Sequence, residues 1–264
     1  MLANTPPSAS LSGPKAALVT GAGKRIGRAI ALDLAASGWA VAVHCHKSRT
    51  EAEAVVAEIT AAGGRAVLLS ADLAREDEVL TLVPDATRHL GPLTFLVNNA
   101  SVFNDDRIAT VTRASWDEHL EANLRAPLVL TQAFAASVPA GAKGNVINIL
   151  DQRVWNLTPY FLSYTVSKSA LWTLTRTMAM ALAPNIRVNA IGPGPTLKSE
   201  RQTKEHFQAQ CRCLPLGHGP TPAEICDCVR FILGAPSLTG QMIALDGGEH
   251  LGWAQPTAGF IPIE

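Results

Sequence analysis

Residues 15–38 read KAALVTGAGKRIGRAIALDLAASG. KAALVT is a short apolar run of the kind that forms a buried strand. Gly21-Ala22-Gly23-Lys24-Arg25-Ile26-Gly27 follows, and RAIALDLAASG then places apolar residues at helical spacing. Strand, glycine-rich turn and helix, in that order, make the phosphate-cradling unit of a doubly wound α/β fold. Glycines let backbone N–H groups approach a pyrophosphate at the helix N-terminus, where the dipole also favours an anion. The spacing departs from G-x-G-x-x-G, so the turn taken alone also suits a strand-to-helix connection without a ligand.

The alternation continues along the chain. WAVAVHC (39–45), RAVLLSADL (65–73), LTFLVNNAS (93–101), GNVINIL (144–150), IRVNAIGPGP (186–195) and TGQMIALDGG (239–248) read as further strands. TEAEAVVAEITAAGG (50–64), AREDEVLTLV (74–83), residues 112–138 and AEICDCVRFIL (223–233) read as helices between them. The 264 residues suit one large α/β domain over 15–250. A Pro- and Ser-rich arm (1–14) precedes it, a tail (251–264) follows, and 196–216 reads as a flexible, polar substrate-side flap.

Composition narrows the function. The formal net charge is zero, which gives no basic face for nucleic acid. MLANTPPSASLSGP lacks the basic and apolar regions of a secretory signal, and no apolar run approaches the ~20 residues of a membrane span. A cytoplasmic protein is expected. The five cysteines have no disulfide-framework spacing. Cys211-x-Cys213 and Cys226-x-Cys228 are closer than the C-x₂₋₄-C pairs of structural zinc sites, so no metal is expected.

Two stretches carry chemistry. In DQRVWNLTPYFLSYTVSK (151–168), Tyr164 and Lys168 lie four apart at the start of a helical run, hence on one face. A nearby ammonium favours phenolate over phenol and makes Tyr164 a better acid. The second is His44-Cys45-His46-Lys47-Ser48-Arg49. An acid at this place would meet the ribose hydroxyls of NAD. Here Lys47 or Arg49 could instead pair with a 2′-phosphate and Ser48 donate to it, so NADPH is the expected cofactor. His44 and His46 read as loop donors, since a lone H-x-H lacks further metal ligands. Asp72 suits either an adenine amino group or the N-cap of the next helix. Asn98, Ala100 and Ser101 lie at the carboxyl edge of a buried strand, where ligands bind in such sheets. Asn123, inside a helical stretch, could brace a kink before Pro127 or orient a catalytic water.

TGAGKRIG, NNAS, Asn123, NVINIL, Tyr164-x-x-x-Lys168, Pro193-Gly194 and LDGG occur in this order along the chain. Together they resemble the short-chain dehydrogenase/reductase family over nearly its whole length. The resemblance implies a single-domain Rossmann-type doubly wound fold with a seven-stranded parallel sheet, and commonly a homotetramer or homodimer. It also implies cofactor contacts at Gly21, Lys24, Arg25, Ile26, Leu73, Tyr164, Lys168, Pro193 and Gly194. Two positions depart from the family pattern. Arg25 replaces its middle glycine, and Asp151 stands where its catalytic serine is expected. With Phe103 and the His44-x-His46-x-Ser48 loop, they are similar to the pteridine reductase branch, which reduces dihydropterins and sometimes folates with NADPH. A catalytic set of Asp151, Tyr164, Lys168 and Asn123 is then implied, with Arg25, Ser101, Phe103, Asp151, Tyr164 and Leu197 on the substrate. Phe103 could stack on a pterin face, Arg25 could hold a ring carbonyl or phosphate oxygen, and Asp151 suits a nitrogen heterocycle better than serine would. A short-chain carbonyl reductase is the alternative.

Overall fold

The computed structural model of the protein describes residues 15–252. The expected arm at 1–14 and the tail beyond residue 252 lie outside the described residues. The chain runs β1 (Ala16–Val19), α1 (Arg25–Ala36), β2 (Ala40–Cys45), α2 (Arg49–Ala61), β3 (Ala66–Ser70), α3 (Glu76–Leu90) and β4 (Phe95–Asn98). It continues through α4 (Arg113–Leu120), α5 (Ala126–Ser137), β5 (Gly144–Ile149), α6 (Leu162–Leu182), β6 (Ile186–Pro193), α7 (Lys204–Arg212), α8 (Pro222–Gly234) and β7 (Met242–Leu245). All seven strands are parallel, in the order β3-β2-β1-β4-β5-β6-β7.

A parallel sheet is covered on both faces, which is why its strands are apolar throughout. β1 shows the division. Ala16 and Leu18 face a core shared with α3, α5 and α6, whereas Ala17 and Val19 face one shared with α1, α2 and α8. The strand order reverses between β1 and β4, which opens a crevice at the carboxyl ends of the strands.

Several local features differ from the sequence expectation. Residues 112–138 are not one regular helix. Thr112 caps α4 through a capping box with Ser115, and a π-helical turn at Glu121–Arg125 joins it to α5. Such a turn widens the helix by a residue and often marks a functional site. It places Asn123, fully buried, against the segment after β4. The 196–216 segment contains α7, whose N-terminus Thr203 caps by accepting from the His206 N–H. Cys226 and Cys228 are buried within α8, and burial pushes both thiols up to about 11. Among the described residues no helix is long and apolar enough to cross a membrane.

The fold is closely packed where α1 starts beside the glycine turn. A Cβ on Gly27 would lie 2.3 Å from the Gly21 carbonyl oxygen and 2.4 Å from Asn99 Nδ2. Both neighbours are held in place, so the backbone must move to admit a methyl group. Gly27→Ala should destabilise the protein by about 1–3 kcal/mol. A thermal melt checks this, with the midpoint expected to fall by several degrees.

Candidate active site

The crevice holds a cavity of about 830 Å³. Its nucleotide end is built from the β1–α1 turn. Gly21, at φ +62°, packs against Ala100, and Gly23 against Ser48. Lys24, the N-cap of α1, makes no side-chain cap, and the first turn of α1 has no acidic residue. The first turn of α1, which lines the cavity, therefore has no side-chain cap on its N–H groups, and an anion fits there. In α2, which follows β2, Glu51 pairs with Lys24 at 2.7 Å and Glu53 with Arg49 at 2.9 Å. Exposed Lys47 and half-buried Ser48 remain on the cavity wall with no acid in the turn between them and β2. This donor set suits a phosphorylated ribose.

His44 has a different place from the loop donor expected. Its ring is buried at the end of β2. Nδ1 accepts from the Gly21 N–H at 3.1 Å, which leaves Nε2–H to donate to the Ala71 carbonyl at 3.1 Å. The neutral ring thus ties the glycine turn to the end of β3. Burial pulls its pKa down to about 4, against the opposing pull of the Ala71 carbonyl. Asp72 does not cap α3, whose N-cap is Arg75. Its Oδ1 accepts from the Ala74 N–H at 3.0 Å in a local turn that faces the cavity, 3.7 Å from His46 Nδ1.

The reacting end lies where β5 and α6 meet. Asp151 follows β5 in extended conformation and caps a short 3₁₀ turn at Gln152–Val154. Its Oδ1 accepts from the Arg153 N–H at 2.9 Å, and its Oδ2 accepts from Tyr164 Oη at 2.7 Å. One turn further along α6, Lys168 Nζ donates to the Ile149 carbonyl at 2.8 Å and lies 5.8 Å from the Tyr164 ring centre. Burial lowers the Lys168 ammonium to about 8, while the Asp151 carboxylate pulls it upward. Carboxylate, phenol and ammonium therefore sit together on one wall.

The neighbouring wall is aromatic. Phe103 stacks on Phe161, with centroids 4.5 Å apart and planes at 11°, and meets the Tyr164 ring edge-on at 4.5 Å. The Arg201 guanidinium lies 5.5 Å from the Phe103 ring centre and donates to its carbonyl at 2.6 Å. Arg25 starts α1 at φ +55°, and its guanidinium donates to the Leu197 and Lys198 carbonyls at 2.8 and 2.7 Å. Those donors, expected on a phosphate or ring oxygen, here grip the chain after β6.

All the site residues expected from sequence line this cavity except Asn98 and Asn123. Asn98 is buried inside the sheet, and its Nδ2 donates to Asn148 Oδ1 at 2.9 Å, so its side chain faces away from the cavity. The period-two alternation of β4 turns its neighbour Asn99 inward instead. Asn99 Nδ2 donates to the Thr20 and Gly21 carbonyls. Asn123 Oδ1 accepts from the Val102 N–H, and its Nδ2 donates to Val102 O and Ser167 Oγ, so it braces rather than lines. Arg153 was missed. It is buried, stands 4.0 Å from Asp151 Oδ1 and lies over Phe161. Its place two residues after Asp151 was the available signal.

A model described as short chain dehydrogenase matches residues 15–209. The chain belongs to the short-chain dehydrogenase family. Within it, the chain is similar to a solved structure of FolM alternative dihydrofolate reductase 1 from Brucella suis in complex with NADP. That pair is 49% identical, with 93% of this chain and 98% of the other covered and a TM-score of 0.89. The corresponding Brucella canis structure, also complexed with NADP, is 46% identical over 93% of this chain and 98% of its own, with a TM-score of 0.87. A 3-oxoacyl-[acyl-carrier-protein] reductase from Synechocystis is 33% identical over 88% of this chain and 95% of its own. This short-chain dehydrogenase thus has relatives acting on two kinds of substrate.

The His44 clamp gives a pH dependence with a definite sign. The folded state holds the ring at about 4 against an unfolded 6.5, so below that value the unfolded chain binds more protons. The clamp's contribution is complete above about 6.5 and is lost as pH falls towards about 4, a difference of roughly 3 kcal/mol. Urea unfolding across that range should show the loss, and a His44→Asn variant should flatten it.

Proposed function

We propose that this protein is an NADPH-dependent reductase of a dihydropterin-like substrate, such as dihydrobiopterin, dihydromonapterin or dihydrofolate, yielding the tetrahydro form. It is an NADP-dependent oxidoreductase of the short-chain family, and the substrate is the further step proposed. The observation that carries it is the Tyr164 Oη hydrogen bond to Asp151 Oδ2 on the cavity wall, beside the aromatic Phe103. The similarity to dihydrofolate reductases solved with NADP supports the same reading.

Reducing a C=N bond requires a hydride at carbon and a proton at nitrogen. The glycine turn, the α1 N-terminus, Lys47 and Ser48 would hold NADPH, which when bound would supply the hydride. The chain's own groups manage the proton. Tyr164 carries it on Oη, which lines the cavity and would donate it to a ring nitrogen. Lys168 beneath it favours the phenolate left after transfer. Asp151 fixes the hydroxyl's direction and can accept from a ring N–H, which a serine at that place would do less strongly. Asn123 holds the Val102 backbone beside this group. Phe103 offers a flat apolar surface at the same end. The family's homotetramer belongs to the same proposal.

The Synechocystis relative favours a second reading, a 3-oxo ester or other carbonyl as substrate. Incubation of the purified protein with NADPH or NADH and each of dihydrobiopterin, dihydrofolate and a 3-oxoacyl thioester separates the two. Faster NADPH oxidation with a pterin, and little with NADH, is expected; preferential consumption of the thioester would install the second reading. Tyr164→Phe should lower kcat by roughly 10²–10⁴-fold. A variant with undiminished kcat would remove Tyr164 as proton carrier.

A further inference from the structure

Tyr164 is only the third residue of α6. The first turn of a helix has N–H groups without intrahelical partners, and it frays unless they are capped. The N-cap of α6, Phe161, is left-handed at φ +55° and provides no side-chain acceptor. The acceptors come instead from Asp106, on the segment after β4. Its carbonyl accepts from the Leu162 N–H at 3.0 Å, and its Oδ1 from the Ser163 N–H at 2.9 Å. Its Oδ2 accepts from Ser163 Oγ, and from Ser115 Oγ at 3.1 Å. Burial opposes ionisation here, but the hydrogen bonds from Ser163 and Ser115 outweigh it and hold the carboxyl below its ordinary range.

His119 completes the network. Its Nε2 accepts from the Asn104 N–H at 3.1 Å, so the proton is on Nδ1, which lies 2.9 Å from the Ser115 carbonyl and 2.7 Å from Ser163 Oγ. Serine, histidine and aspartate are thus adjacent, but not as a hydrolytic triad. The serine donates to the carboxylate rather than to the histidine, and all three are buried away from the cavity. The segment so fixed also carries Phe103, whose ring touches both Phe161 and Tyr164.

We propose that Asp106 is a positioning residue that caps α6 from outside and thereby sets Tyr164 Oη against Asp151 and the Phe103 wall. The effect on rate rests on Tyr164 acting as proton carrier; the capping does not. In the full chain, Asp106→Ala should lower kcat by roughly 10- to 100-fold through misplacement of Tyr164. NADPH affinity, followed by its fluorescence, should stay unchanged. Asp106→Asn should recover most of the rate, because its amide oxygen still accepts from the Ser163 N–H. Amide exchange at Leu162–Tyr164 should accelerate in the alanine variant and much less in the asparagine one. Wild-type kcat in Asp106→Ala, or NADPH affinity falling in step with kcat, would overturn the proposal. If that variant does not fold, Ser163→Ala removes one contact and should give a smaller kcat loss at unchanged NADPH affinity; no loss would overturn it. If the wild-type protein oxidises NADPH with none of the substrates, the function fails by itself, and the exchange measurement still decides on Asp106: unchanged rates would sink it.

Discussion

Keeping a lysine ammonium out of water is the constraint around which this site is built. Lys168 is 2% exposed, and a charge placed there is costly unless partners compensate. The Ile149 carbonyl and the Asp151 carboxylate are those partners, and both come from the end of β5. α6 must therefore cross β5 at one height. Ser167 Oγ donates to the Tyr164 carbonyl, and Asn123 Nδ2 donates to Ser167 Oγ, which pins α6 to the π-helical turn. Once Lys168 is seated, helical geometry brings Tyr164 to Asp151 one turn earlier.

Two residues around the cavity hold backbone conformations that side chains disfavour. Arg25 and Phe161 both lie at φ +55°, each costing about 1–2 kcal/mol relative to ordinary regions. Each begins a helix that faces the cavity, and each is held there by what its side chain reaches. The Arg25 guanidinium bridges two carbonyls of the chain after β6. The Phe161 ring stacks on Phe103, and the Arg153 guanidinium lies against both rings. Strain at these points is local, and the compensation is tertiary.

That division also explains what the sequence could tell. All seven strands were legible because the βα alternation is written in apolar runs, and Tyr164 with Lys168 because four-residue spacing is a property of one helix. Groups whose partners are distant in sequence were not legible. Nothing in Asn104-Asp105-Asp106 announces a cap for a helix that begins at Leu162. His44 read as a loop donor because its clamp depends on β3 arriving beside it. Asn98 read as a cavity residue, although strand alternation turns it into the sheet and Asn99 toward the cavity. The π turn left only one trace, an asparagine in an otherwise helical run.

The stretch of chain after β6 links the nucleotide end of the cavity to its aromatic end. Arg25 holds Leu197 and Lys198, while Arg201, three residues on, holds the Phe103 carbonyl. Between them Lys198 Nζ donates to the Ser199 and Gln202 carbonyls, and Gln202 reaches Gln210 of α7. The glycine-rich turn and the wall proposed for substrate therefore grip the same segment from opposite sides. A glycine at position 25 would relieve the backbone and release the grip of the α1 end on this segment, leaving that at Phe103. An arginine in a glycine's conformation makes physical sense on these terms. Its backbone belongs to the turn that receives the phosphates, and its side chain fixes how far the far end of the cavity stands from it.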